Sequence, residues 1–141
     1  MTTLLLDASV LLAAFDPDDD HHKEARALLE DEEVTLATLD LSRYEVTNVA
    51  IRAWRAPGSV APLLSAIDRI AEDGGVLASE TGLLTRAAEL AERHSISAYD
   101  AAYAAAAIEM GLRLISCDKR DLVSRRLATL PAAAKSDRPE S

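Results

Sequence analysis

Four acids stand at strand ends or in the first turns of helical patterns: Asp7, Glu45, Asp100 and Asp118. Asp7 follows three leucines in "LLLDASVLLAAF", and an ionised carboxylate behind such a run needs something to stabilise it. Each acid also has a local reading. Asp7 and Asp118 fit helix N-caps, Ser42-x-x-Glu45 matches a capping box, and Ser97-x-x-Asp100 nearly does. Taken together they imply more. Four carboxylates gathered at one edge repel one another, so some must keep a proton or a cation must bind. Oxygen-only donors favour Mg²⁺ or Mn²⁺ over zinc. Zinc would call for histidine or cysteine, yet His21 and His22 are adjacent, so their side chains diverge, and His94 stands alone.

The elements that must position these acids alternate. Apolar or β-branched runs predict strands over 2–6, 34–39, 76–78 and 113–116. Helical patterns cover 8–15, 21–31, 41–55, 60–72, 82–93, 98–110 and 119–127, punctuated by Asp16-Pro17, Pro57-Gly58, Gly74-Gly75 and Gly111. This order predicts an α/β fold, a single domain over 1–130 with a mostly parallel central sheet flanked by helices on both faces. Parallel strands put their carboxyl ends on one edge, where such sheets collect function. Asp7, Glu45 and Asp118 all follow expected strands; Asp100 joins them only if its helix starts near that edge. Residues 131–141, "PAAAKSDRPES", read as a disordered tail.

Composition sets outer bounds. The 141 residues suit one domain, and 49% hydrophobic residues suffice for a core built from aliphatic side chains. Cys117 is the sole cysteine, so an internal disulfide is excluded. Without a signal-type N-terminus or an apolar stretch near the roughly 20 residues of a membrane span, the expectation is a cytoplasmic protein with no membrane contact. The net charge of −9 argues against a simple polyanion binder, but it is unevenly spread. Residues 1–40 hold eleven acids and two bases, whereas residues 41–141 hold thirteen of each. A polyanion would avoid the acidic 16–33 stretch, which also reads simply as a solvated surface.

Four blocks, "LLLDASVLLAAF", "LSRYEVTNVAIR", "SAYDAAYAAAAIEMG" and "RLISCD", resemble in order and spacing the motifs of PIN-domain ribonucleases, especially the VapC-type toxins of toxin–antitoxin pairs. The resemblance covers about residues 1–130, and "AYDAAYAAAA" after "AELAERHSIS" is its most specific part. It implies that Asp7, Glu45, Asp100 and Asp118 are the catalytic, metal-ligating acids, with Ser9 and Ser116 as supporting hydroxyls and Asn48 as a polar helper near Glu45. Ser116 stands where Thr is commoner, which keeps the hydroxyl. Asp121 stands where an apolar residue is commoner; it reads as a first-turn helix acid or an extra metal-linked one.

The activity implied is endoribonuclease cleavage of RNA with Mg²⁺ or Mn²⁺, water being the nucleophile and the products carrying a 5′-phosphate and a 3′-hydroxyl. The implied partners are the RNA substrate, a cognate small antitoxin and a second copy in a homodimer, with DNA reached only through the antitoxin. Arg43, Arg52, Arg55, Lys119, Arg120, Arg125 and Arg126 are candidates for holding phosphates, or are solvated surface charges. Trp54 reads as core or interface, Tyr99 and Tyr103 as packing residues, and Cys117 as a small buried residue beside the site. Three alternatives stand beside this reading: a stand-alone RNA-processing nuclease, a phospho-acceptor module, and a non-catalytic acidic-pocket interaction module. Against a receiver-type acceptor, no Asp immediately follows 76–78; against a phosphatase with paired aspartates, position 9 is Ser.

Overall fold

Leu4, Leu5 and Leu6 are all fully buried, and they point alternately to the two sides of one sheet. That alternation explains three consecutive leucines with no polar residue among them, because both faces are covered. A computed structural model of the chain describes residues 2–134. Its four strands are β1 (Thr2–Leu6), β2 (Val34–Leu39), β3 (Val76–Leu77) and β4 (Arg113–Ile115). They pair in the order β3-β2-β1-β4, and every pairing is parallel. In register, Leu5 lies between Ala37 and Leu114, and Leu6 pairs Ile115.

Six helices cover the sheet: α1 (Ala8–Ala14), α2 (His22–Glu30), α3 (Ser42–Arg52), α4 (Val60–Glu72), α5 (Thr81–His94) and α6 (Ala98–Met110). Leu4, Leu6 and Ile115 share one core with Val10, Leu28, Val46 and Ile67 from α1 to α4. Leu5, Leu39 and Leu114 share the other with Leu83 and Leu90 of α5 and with α6. Seven consecutive residues of α6, Ala101–Ala107, are buried. Six of them are alanine, whose small side chain lets α6 lie close against both α5 and the sheet, while also favouring helix. Gly111 closes α6 in the left-handed conformation, φ 65°, which glycine adopts without strain.

Topology creates the crevice. The crossovers from β1 to β2 and from β2 to β3 use α1 to α4 on one face. The chain then returns through α5 and α6 on the other face to place β4 beside β1. The segments leaving β1 and β4 therefore turn toward opposite faces, which opens a gap at the carboxyl ends of these two strands.

Three expectations need correction. The helix expected over 119–127 is instead a wide turn, Lys119–Val123, with i→i+5 bonds from the Val123 and Ser124 N–H groups to the Asp118 and Lys119 carbonyls. It brings Leu122 fully into the core and ends at Ser124; beyond it Arg126 takes the left-handed conformation at φ 59°. A disordered tail is expected from Pro131, but Pro131–Ala133 form a 3₁₀ turn and Pro131 and Ala134 are buried. There the Ala134 carbonyl accepts from Arg113, 2.9 Å away, so contacts with the folded body hold this stretch; residues 135–141 lie outside those described. Tyr99, expected to pack, is 65% exposed. Tyr103 and the half-buried Trp54 do pack against the cores.

Candidate functional site

The site is built where four chain junctions meet. Asp7 ends β1 and is buried at 4% exposure. Its Oδ1 accepts from the Val10 N–H (3.3 Å), capping α1, and from the Ser9 hydroxyl (2.5 Å). Asp118 follows β4 and caps the wide turn by accepting from the Asp121 N–H at 2.9 Å. In both, capping uses Oδ1, so a capping role and a ligand role do not compete for the whole carboxylate. Asp100 lies in the first turn of α6, whose N-cap is Ser97; the Ser97 hydroxyl accepts from the Asp100 N–H at 3.0 Å. The Ser97 hydroxyl also meets the Asp100 carboxylate and works against its raised pKa.

Glu45 departs from its local reading. The N-cap of α3 is Leu41, and among the described residues the buried Ser42 hydroxyl has no hydrogen-bond partner, so the expected capping box does not form. Glu45 instead accepts from the Tyr103 phenol, 2.9 Å away on α6. In the sequence Tyr103 reads only as packing. Its spacing of three residues from Asp100 is the available signal, since i and i+3 share a helix face.

The two serine hydroxyls lie between the acid-bearing segments. Ser9 Oγ also accepts from the Cys117 N–H at 2.9 Å and lies 3.4 Å from Ser116 Oγ. Ser116 Oγ accepts from the Asp118 N–H at 3.0 Å. One pair of serines thus joins the ends of β1 and β4. Asn48 is exposed on α3, and among the described residues no hydrogen bond ties it to Glu45.

Electrostatics show how closely the acids meet. Burial pushes the Asp7 carboxyl up to about 6, opposed by hydrogen bonds from Ser116, Ser9 and Val10 and reinforced by the charge of Asp100. Burial likewise raises Glu45 to about 7, with Tyr103 opposing and Asp7 and Asp100 adding repulsion. Asp100 is raised by burial and by Asp118 and Asp121. Carboxylate oxygens of Asp100, Asp118 and Asp121 lie within 4.8 Å of one another. Asp100 therefore links two groups of acids, Asp7 and Glu45 on one side and Asp118 and Asp121 on the other. Asp121 is both a first-turn residue and a member of this cluster. Among the described residues, Arg125 (3.6 Å) and the exposed Arg120 (3.8 Å) pair with it. Two cations beside five acids leave the cluster short of positive charge, and its oxygen donors fit a hard divalent ion.

Cys117 is half-buried beside Asp7, and burial, with the Asp7 charge, pushes its thiol up to about 12, which favours the protonated thiol. Three of the expected phosphate-binding cations have other partners, Arg120 being paired with Asp121. Arg43 pairs with Asp68 at 2.8 Å, and Arg125 donates to the His94 carbonyl at 2.9 Å. Arg52, Arg55, Lys119, Arg120 and Arg126 are exposed. A groove of about 810 Å³ lies between α2 and α4 and is lined by none of the five acids.

The chain belongs to the PIN domain family, whose family model matches residues 4–127. It is 31% identical over 121 residues to Ribonuclease VapC3 of Pyrobaculum aerophilum, covering 83% of this chain and 90% of that protein. Its fold matches a chain of a toxin–antitoxin complex from Klebsiella pneumoniae with a TM-score of 0.66 at 19% identity, over 91% of this chain and 97% of that one. It also matches VapC20 of Mycobacterium tuberculosis, described as a sarcin-ricin loop cleaving toxin. There the TM-score is 0.65 at 19% identity, over 83% of this chain and 91% of that one. Membership of this family removes the receiver and phosphatase alternatives.

Proposed function

We propose that this protein is an endoribonuclease that depends on Mg²⁺ or Mn²⁺ and acts as the toxin of a toxin–antitoxin pair. The observation that carries the reading is convergence: acids 7, 45, 100 and 118 meet at one sheet edge with too few cations to balance them. Family membership and the ribonuclease relative support the reaction class, and the toxin–antitoxin neighbours support the biological role.

In this reading Asp7, Glu45, Asp100 and Asp118 hold the metal, with Asp121 as an added acid. Ser9 and Ser116 hold the Asp7 carboxylate, Ser116 also accepts from the Asp118 N–H, and Asn48 contributes from the exposed side of α3. A bound divalent ion supplies neutralisation of the scissile phosphate and a lowered pKa for water. The protein's own residues do the rest. The serine hydrogen bonds keep the Asp7 carboxylate in place without reorganisation during the reaction. Exposed Lys119 and Arg120, next to Asp118 in the chain, meet RNA phosphates as they approach. The exposed Tyr99 beside Asp100 offers a ring on which a base stacks.

The same proposal includes a small antitoxin as partner, contact with DNA only through it, and action in the cytoplasm. It also includes a homodimer, for which Ile51, Leu84, Ile108 and Met110 provide exposed apolar side chains. Among the described residues, no helix is long and apolar enough to cross a membrane.

The test is cleavage of single-stranded and hairpin RNA by the purified protein in Mg²⁺, in EDTA and as Asp100→Asn. Mapping of the new 5′-ends gives the site. Cleavage only in Mg²⁺, lost in Asp100→Asn, is the expected result. Equal cleavage in EDTA or by the variant sinks the assignment. Arrested growth on expression, relieved by the co-expressed upstream reading frame, separates a toxin from a processing enzyme.

A further inference from the structure

We infer that Tyr103 is a positioning residue that sets the conformation of Glu45 and, through it, the metal affinity of the carboxylate cluster. The inference rests on the nuclease reading above and extends it to a residue outside the acid set.

Tyr103 is 1% exposed, and its ring belongs to the core beneath the site. A phenylalanine would fill that space without burying a hydroxyl, which is unfavourable unless hydrogen-bonded. The hydroxyl has one proton, and it goes to Glu45 Oε1 at 2.9 Å. Burial and the neighbouring Glu45 and Asp7 charges push the phenol well above its ordinary range, so it remains a donor.

Glu45 needs such a partner. It is a long, half-buried side chain with several rotamers, and its own helix does not hold it. Leu41, not Ser42, occupies the N-cap of α3, and no capping box forms. Tyr103 supplies its one hydrogen bond among the described residues. With Oε1 engaged by the phenol, the carboxylate has its orientation fixed relative to Asp7 and Asp100.

Tyr103 is itself anchored. Three residues along α6 from Asp100, it shares that residue's helix face. Its phenol also meets the Thr38 hydroxyl, which donates to the Leu6 carbonyl at 2.8 Å. Leu6 immediately precedes Asp7. A buried line of polar groups therefore runs from the end of β1 through β2 and α6 to Glu45 on α3. It links three of the four acid-bearing junctions by contacts that leave the carboxylate oxygens facing the crevice largely uncommitted. Groups that orient metal ligands in this way typically change metal affinity or activity by about 10–100-fold when removed.

The test uses the full chain as parent, Tyr103→Phe, Glu45→Ala and the double variant. Mn²⁺ binding is measured by calorimetry without RNA, the melting temperature in EDTA, and RNA cleavage at varied substrate. Tyr103→Phe is expected to melt near the parent temperature, bind Mn²⁺ about tenfold more weakly, and lose kcat rather than gain KM. In the Glu45→Ala background the same change is expected to do nothing further, because its target is gone. Mn²⁺ binding and kcat within twofold of the parent would overturn the inference. So would an equal loss with and without Glu45, which marks a packing effect. Should the Phe variant fail to fold, Tyr103→Met takes its place under the same criteria. A parent that neither binds Mn²⁺ nor cleaves RNA refutes the nuclease reading itself. A parent that does both, beside an unchanged Tyr103→Phe, refutes the tyrosine assignment alone.

Discussion

Replacing Asp7 by Asn separates what this carboxylate does for chemistry from what it does to stability, and the two effects have opposite signs. Asp7 is buried and its pKa stands at about 6 against an ordinary 3.8. The unfolded chain releases this proton near 3.8, while the native state keeps it to about 6. The native state thus binds more protons across that window, and stability falls as pH rises through it. Above the window, the ionised form costs about 3 kcal/mol at roughly 1.4 kcal/mol per unit. Asn keeps one side-chain oxygen to accept from Ser9 and Val10, but it loses part of the carboxylate's hydrogen bonding, about 1 kcal/mol. Asp7→Asn is therefore expected to be more stable than the parent at pH 8 in EDTA by about 1–2 kcal/mol. That is roughly 3–6 °C in melting temperature for a domain of this size. At pH 4 the gain should vanish, since Asp7 is then protonated in the native parent. Melting curves by circular dichroism at both pH values, with RNA cleavage in Mg²⁺ alongside, make the measurement. A variant less stable than the parent at pH 8 refutes the argument that burial penalises this charge. A variant that cleaves RNA at the parental rate refutes its place in the machinery.

Metal addition should show the same linkage from the other side. At pH 8, Mn²⁺ at a hundred times its Kd stabilises by about 2.7 kcal/mol. At pH 5 the rise in melting temperature should be smaller, because protons hold the raised Asp7 and Glu45 carboxyls; an equal rise at both would exclude these acids as ligands. Ser9→Ala removes the hydroxyl that donates to Asp7 and accepts from the Cys117 N–H, leaving that N–H unpaired. A loss of about 1–3 kcal/mol in urea denaturation is expected, with slower cleavage. Gly75→Ala tests the fold away from the chemistry. A Cβ there would stand 2.3 Å from the Leu36 carbonyl oxygen and 2.8 Å from an Ile70 methyl. Backbone must move, so a loss of about 2 kcal/mol or more is expected, with unchanged metal affinity in the folded fraction.

Much of the architecture is legible because it depends on local patterns. The unbroken leucines of β1 signal a strand covered on both faces, and Gly111 signals the end of α6. The acids are legible as a set because each stands at a recognisable junction. Tyr99 and Tyr103, four residues apart on one helix, show the limit. Both read as packing, yet one is 65% exposed and the other 1%. Their separation depends on where α6 begins relative to the sheet edge, and periodicity does not report that. The wide turn after Asp118 escapes for a similar reason. An i→i+5 turn has no residue signature of its own; here it accompanies burial of Leu122 and the Asp118 cap. Ser42 misleads because a capping box needs an extended N-cap, and Leu41 is already helical at φ −63° and ψ −21°.

By itself, the sequence determined the alternation of strands and helices, the parallel sheet that this alternation requires, and which carboxylates end up at junctions. These rest on burial periodicity and backbone termination, which act over a few residues. Tertiary structure alone decided how the junctions meet. The reversal of strand order at β1 sets the ends of β1 and β4 side by side, and the return of α6 across the sheet brings Asp100 between the two groups of acids. It also set Tyr103 against Glu45 and drew Asp121 into the cluster. Proximity between residues that lie tens of positions apart is a property of packing, and the repulsion that makes this edge fit a cation exists only once packing has created it.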